Sequence, residues 1–211
     1  MSHGHRGPHL FPLVRGLDDE RVSDPAEKAR HRAQALARRD ALSPDERLRA
    51  STAIAARIAV LASTFPPGPV AGYWPIRSEA DPLPALEILR AFGHPIALPV
   101  VGPGRLLFRL WAPADTLAPA PMGLSEPMEA APAVEPTTLL VPLAAFDRRG
   151  HRIGYGRGHY DRTFAVLGPV RTIGIAFSVQ EIDIIPDEPH DHPLDFVVTE
   201  REVVDRRDHR G

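Results

Sequence analysis

The sequence predicts an α/β fold: a single three-layer domain with a mostly parallel central sheet flanked by helices. Three observations carry this reading. Short β-branched or apolar runs alternate with segments of helical periodicity, the pattern of strands joined by crossover helices. A glycine-rich stretch, residues 150–161 (GHRIGYGRGHYD), lies between an apolar run and a helical one, where such folds present an anion site. The chain has 211 residues, 43% of them hydrophobic, enough to bury one sizeable core.

The elements follow in order. Residues 1–22 mix His, Arg, Gly, Pro and acidic groups without periodicity and read as a flexible tail. His3, His5 and His9 there read as solvated side chains, with weak metal binding as the alternative. Residues 23–204 form the domain, and 205–211 a second flexible tail. Asp24-Pro25-Ala26-Glu27 supplies an N-cap, a proline at the first helical position and a glutamate at the third, predicting a helix to about Asp40. Lys28 and Arg32 lie four apart on its surface. Ser43-Pro44-Asp45-Glu46 repeats the start signal, and Leu48, Ile54, Ile58 and Leu61 have the spacing of a buried stripe.

Pro66-Pro67-Gly68-Pro69 ends the second helix. A strand over Val70–Trp74, a loop over Ile76–Ala80 and a helix from Pro82 to Phe92 closed by Gly93 come next. Pro95–Val100 reads as a second strand and Arg105–Trp111 as a third, antiparallel or at an edge. Residues 112–136, rich in proline and alanine, read as an ordered but irregular surface excursion. Thr137–Val141, Thr172–Ala176 and Asp195–Thr199 complete the strands, with helix continuing through Thr163–Leu167 after the glycine stretch. Ligands then belong at the carboxyl ends of the strands.

Composition excludes several classes. With no cysteine, disulfides, thiolate metal sites and a cysteine nucleophile are ruled out together. The longest apolar stretch, near Ile54–Ala62, is interrupted by Arg57 and is too short to cross a bilayer. No secretory pattern marks residues 1–8, so a cytoplasmic location and no membrane partner are expected. A net charge of −2 gives no global attraction to nucleic acid, and none is expected as partner.

The chemistry concentrates in the glycine stretch. Four glycines and two arginines stand among its twelve residues. Glycine lets the backbone take φ > 0 and approach a ligand, while exposed N–H groups and guanidinium donors suit phosphate oxygens. The spacing 154, 156, 158 matches neither familiar phosphate motif, so a tight strand-to-helix connection stays as the alternative. Asp161 could hold Mg²⁺ against phosphates or cap a helix. Arg152 and Arg157 could clamp phosphoryl oxygens or simply be solvated. Trp74, Phe146 and Tyr160 could face a flat ring or pack in the core. His190-Asp191-His192 reads as a metal site or as a loop beside the cleft with Asp191 accepting a hydrogen bond. Among 25 basic residues Lys28 is the only lysine, which suits a phosphate contact shaped for a point charge, or is an accident of composition.

A longer run bears on these alternatives. Val141-Pro142-Leu143-Ala144-Ala145-Phe146-Asp147, followed by Gly150-x-Arg152-Ile153-Gly154-Tyr155-Gly156-x-Gly158-x-Tyr160-Asp161-Arg162, resembles the signature of the 5-formyltetrahydrofolate cyclo-ligase family. Lys28-x-x-x-Arg32, residues 42–47 (LSPDER), Tyr73-Trp74-Pro75 with Glu79 and Asp81, Leu98-Pro99, His190-Asp191 and 194–200 (LDFVVTE) fall in the same order, so the likeness covers roughly residues 25–200.

The resemblance implies an ATP-dependent closure of 5-formyltetrahydrofolate, polyglutamylated or not, to 5,10-methenyltetrahydrofolate with release of ADP and phosphate. It also implies the parts. Lys28, Arg32, Arg152, Gly154, Gly156, Arg157, Gly158, His159, Tyr160 and Asp161 would bind ATP, with Arg152 and Arg157 as the catalytic cations and Asp161 on Mg²⁺. Trp74, Glu79, Phe146 and Tyr160 would meet the folate. Arg157 and His159 depart from the common pattern, which has glycine or lysine and tyrosine there. A monomer is expected, with a dimer as the alternative. Two other readings stay open: a diverged phosphotransferase or ligase acting on another small molecule, and a non-catalytic nucleotide- or RNA-binding protein.

Overall fold

The computed structural model describes residues 1, 25–186, 188 and 191–209. Residues 2–22 of the expected tail, the Asp24 cap and His190 lie outside the described residues. Helix α1 spans Pro25–Asp40 and α2 Pro44–Leu61. Ser43 caps α2: its Oγ accepts the Glu46 N–H at 3.3 Å, and Glu46 Oε2 accepts the Ser43 N–H at 2.8 Å. This reciprocal box satisfies amides that the helix leaves without partners.

Along α2, Ile54 and Ile58 are fully buried and Leu61 partly so, but Leu48 is 66% exposed, against the sequence expectation. Ten residues of helix place Leu48 about 80° round from Ile58, off the buried face. The inward position one turn along belongs to Ser51, whose Oγ accepts the Asp81 N–H at 3.0 Å.

The remaining elements are β1 (Val70–Ala71), α3 (Leu83–Ala91), β2 (Ile96–Val101), β3 (Leu106–Leu110), β4 (Leu117–Ala120), β5 (Leu124–Pro127) and β6 (Ala133–Val134). Then come β7 (Thr138–Pro142), β8 (Ala145–Phe146), β9 (Arg152–Ile153), α4 (His159–Phe164), β10 (Arg171–Ile175), β11 (Phe196–Val198) and β12 (Val203–Asp205). Eight strands form one sheet in the order β12-β11-β10-β7-β1-β2-β3-β6. Its five inner strands, β11 to β2, are parallel, with Val70 opposite both Ile96 and Thr138 and Ile173 opposite Phe196. The flanking strands β12, β3 and β6 run antiparallel.

Both faces of the sheet are covered. Leu140 of β7 faces a core with Ile54, Ile58, Leu86 and Leu89 of α2 and α3. Its neighbours Leu139 and Val141 face the opposite core with Phe146, Val197, Tyr160 and Phe164, the period-two alternation of a strand. Helix α1 lies across the small β8–β9 hairpin, where Ala35 packs with Ala145, Ile153 and Ile185. Among the described residues no helix is long and apolar enough to cross a membrane.

Two further expectations need correction. Residues 112–136 are not simply irregular: they hold the β4–β5 ribbon, and β6 joins the sheet edge. Pro119, Pro121 and Pro127 hide the strand signal, and a ribbon tolerates them because few of its amides need sheet partners. Nor does β7 lead straight into the glycine loop, because the β8–β9 hairpin intervenes. The chain moves outward from β1 to β2 on one side, while β7 occupies the other. The carboxyl ends of β1 and β7 therefore flank a topological switch point, where open sheets bind ligands.

Candidate active site

The glycine loop is built outward from a buried carboxylate. Asp147, fully buried after β8, accepts N–H groups from Arg149 (2.9 Å), His151 (3.2 Å) and Ile185 (3.0 Å). Gly150 completes the turn at φ +85°, and a Cβ there would stand 2.5 Å from the Leu194 carbonyl oxygen. Only glycine fits without displacing that strand connection. The chain returns as β9 and enters residues 154–158, with φ +90° at Gly156 and +62° at Gly158. Gly158, left-handed, is the N-cap of α4, so Asp161 lies in the first turn and is not the cap that the sequence allowed as one of its roles.

Helix α1 lays a row of cations along this loop. Lys28 Nζ donates to Glu188 Oε1 and Asp191 Oδ2, each at 3.1 Å. Burial works against the ammonium, but the hydrogen bonds to Asp191 and Glu188 prevail and hold its pKa above the ordinary value. Arg32 Nε donates to the Gly154 carbonyl at 2.8 Å, and its guanidinium passes 3.8 Å from where a Gly156 Cβ would sit. Arg39, which sequence reasoning missed, is buried and donates through Nη1 to Tyr155 Oη at 2.6 Å. The signal was present: steps of four and seven from Lys28 to Arg32 to Arg39 keep all three on one helical face.

Arg152 is 6% exposed and makes three contacts. Its Nη1 donates to the His192 carbonyl at 2.6 Å, its Nη2 pairs with the Asp161 carboxylate, and its guanidinium lies 4.8 Å over the Phe164 ring. Arg157 is exposed, its carbonyl accepting Arg162 Nη2 at 2.7 Å. Arg162 Nη2 also lies 3.3 Å from His159 Nδ1, which must accept because a guanidinium only donates. Burial, with the Arg162 and Arg157 charges, holds the His159 imidazole below its ordinary pKa.

Opposite the loop stands Glu79, after β1. Its Oε2 accepts the Ile76 N–H at 2.9 Å, and the Tyr155 hydroxyl stands near enough to its carboxylate to favour the charged form. Burial pushes the Glu79 pKa up, opposed by Tyr155, the Ile76 amide, Arg39 and Arg77. Burial and the Glu79 charge in turn push the Tyr155 and Tyr160 phenols well above their ordinary values. Arg77 has φ +55°, the one non-glycine positive φ among the described residues. Trp74 meets Trp111 edge to face, with centroids 6.0 Å apart.

One cavity of about 620 Å³ unites these groups. Every residue the sequence assigned to the site lines it except Phe146. Phe146 is a correction: it is fully buried in the sheet core. Strand alternation in β8 sends Ala145 toward α1 and Phe146 under the sheet, away from the cavity. The cavity adds Arg39, Arg77, Tyr155 and the β5 residues Leu124–Glu126, the last contributed by the excursion over 112–136. Asp191 also lines it, whereas His192 faces the Phe164 ring.

No group of three His, Asp or Glu side chains among the described residues could cage a metal ion. Magnesium takes one or two protein carboxylates and fills its octahedron with phosphate and water. Asp161, 40% exposed beside the glycine loop and paired with Arg152, is the carboxylate that would suit an ion carried mainly by a phosphate ligand.

Comparison with known proteins agrees with this geometry. The model of the 5-formyltetrahydrofolate cyclo-ligase family matches residues 24–200. The 5-formyltetrahydrofolate cyclo-ligase of Escherichia coli K12 is 33% identical over 179 residues, spanning 79% of this chain and 96% of that protein. The Mycolicibacterium smegmatis enzyme of the same name is 34% identical over 141 residues, 62% of this chain and 72% of the relative. The solution structure of Aquifex aeolicus 5,10-methenyltetrahydrofolate synthetase superposes with a TM-score of 0.75 at 32% identity, covering 87% of this chain and 95% of that one. With a glycine loop, a cation-bearing α1 and a half-buried Glu79 around one cavity, and likeness along nearly the whole domain, this chain belongs to the 5-formyltetrahydrofolate cyclo-ligase family.

Proposed function

We propose that this chain uses ATP to convert 5-formyltetrahydrofolate to 5,10-methenyltetrahydrofolate, releasing ADP and phosphate. The observation that carries the reading is the shared cavity: Lys28, Arg32 and the loop over 154–158 line the same space as Trp74 and Glu79. Two substrates that must exchange a phosphoryl group need such a single enclosure.

A formyl oxygen on N5 is amide-like and a poor leaving group. Transfer of the γ-phosphoryl group to it forms an imidate phosphate and ADP. N10 then attacks the formyl carbon, loses its proton and expels inorganic phosphate, which closes the ring. No protein nucleophile is required, so alignment and charge neutralisation supply the rate. Lys28, Arg32, Arg157 and the amides of the glycine loop bind phosphate oxygens. Arg152, fixed by Phe164, His192 and Asp161, offers a cation that loses little freedom when charge develops. Asp161 would hold Mg²⁺, which neutralises phosphate charge when bound with the nucleotide. Glu79 accepts hydrogen bonds from the pterin, and Trp74 and Tyr160 flank its ring. The enzyme acts as a cytoplasmic monomer on this reading, in keeping with a chain free of cysteine.

Incubating the purified protein with ATP, Mg²⁺ and 5-formyltetrahydrofolate should generate the methenyl chromophore with one ADP per turnover. Absence of both products would reject the assignment.

A further inference from the structure

Arg39 is 3% exposed yet permanently charged, so burial demands acceptors for its donors. Nε donates to Ser78 Oγ at 3.0 Å and lies 3.5 Å from Asp40 Oδ1, while Ser78 Oγ donates to that same carboxylate. Nη1 donates to Tyr155 Oη at 2.6 Å, and the cation stands 5.8 Å from the Tyr155 ring centroid. Because a guanidinium only donates, the Tyr155 oxygen accepts from Arg39 and its own proton stays free to point toward the nearby Glu79 carboxylate. The end of α1, the loop after β1 and the glycine loop are thereby joined through Arg39, which reaches Ser78 beside Glu79 on one side and Tyr155 on the other.

We propose that Arg39 and Tyr155 are positioning residues that lock the glycine loop to the Glu79 loop and hold the Glu79 carboxylate ready to accept from the substrate. The inference rests on the function proposed above and adds two residues to it, neither taking part in phosphoryl transfer. Geometry alone favours a link of this kind, since the two loops carry the two halves of the cavity and the described residues place no backbone hydrogen bond between them.

The link also has an electrical consequence. Glu79 is faced by Arg39 from α1, Arg77 from its own loop, Tyr155 from the glycine loop, Tyr160 from α4 and Tyr73 from the extended chain after β1. Burial favours the protonated acid, and the nearby Tyr155 hydroxyl and the Arg39 charge oppose it. Removing the hydroxyl leaves burial less opposed, so Glu79 must titrate at higher pH.

Tyr155→Phe deletes one oxygen from a ring that is 39% exposed, so folding should survive. In this variant kcat/KM for 5-formyltetrahydrofolate should fall roughly ten- to a hundredfold, the loss of one hydrogen bond to a charged group. The acid limb of its pH profile should move upward, while KM for ATP changes far less. Adding Arg39→Met to Tyr155→Phe should cost much less than the product of the two single effects. Carbon NMR of isotope-labelled Glu79 gives a readout without turnover: its titration midpoint should rise in Tyr155→Phe. A midpoint and pH profile that superimpose on wild type would overturn the proposal. A wild-type chain that forms no methenyl product would instead reject the enzyme assignment, and the titration would still decide whether the link exists.

Discussion

Arg32 donates its Nε–H to the carbonyl of Gly154 at 2.8 Å, which ties a cation of α1 to the first residue of the glycine loop before any ligand arrives. A phosphate entering that loop meets donors already in place, so little ordering entropy remains to be lost on binding.

Replacing Arg32 or Lys28 with alanine should therefore raise KM for ATP by roughly ten- to a hundredfold, the worth of a charge-assisted hydrogen bond. Thermal stability should change little, because ion pairs as exposed as that of Lys28 with Glu188 contribute about 0–1 kcal/mol. Steady-state kinetics beside a melting curve tests both halves. Unaltered ATP affinity and turnover in Lys28→Ala would show that Lys28 does not touch the nucleotide.

Glu79→Gln should impair folate use more than ATP use. Stability should move the other way. Burial raises the folded pKa of Glu79 above its ordinary 4.5, so the native state loses stability as pH rises through that folded value. The glutamine variant escapes this loss. Its melting temperature should exceed that of wild type at pH 7, and the advantage should vanish below about pH 4, in melts run across that range.

Gly150→Ala and Gly156→Ala should separate architecture from recognition. At Gly150 the new Cβ meets the Leu194 carbonyl at 2.5 Å under a φ of +85°, so backbone strain of about 1–3 kcal/mol adds to a steric clash. At Gly156 the nearest atom is 3.8 Å away and only the strain remains. Denaturant melts should show the larger loss at Gly150. The reverse order would mean that the β8–β9 turn can shift freely.

Phe146→Ala should cost about 3–5 kcal/mol, as expected of a large buried side chain, yet leave KM for the folate unchanged in the folded fraction. On α2, Leu48→Glu should be nearly neutral, whereas Ile58→Ala should cost about 2–5 kcal/mol. Chemical denaturation with an activity assay distinguishes these cases.

Much of the fold was legible because local signals agreed with one another. The Ser43 capping box, the Gly93 stop and the apolar runs at β2, β7, β10 and β11 each carry their own punctuation. The β4–β5 ribbon was not legible, since its prolines interrupt the alternation that marks a strand. Phe146 and Leu48 were misplaced for a related reason: hydrophobicity says that a side chain prefers burial, but the facing is set by tertiary pairing. The spacing puts Arg39 on the helical face of Lys28 and Arg32, but its pairing with Tyr155 spans 116 positions, which no local window contains.

The single lysine of this chain sits on the cavity wall, held by two carboxylates. An amine-selective reagent therefore meets one ε-amino group in the whole sequence, and that group reports on the site. Its carboxylate partners keep it protonated and sluggish toward acylation, and an occupying phosphate would shield it further. Labelling of Lys28 thus gives a direct occupancy gauge with no mutation introduced, a by-product of a sequence that uses arginine everywhere else.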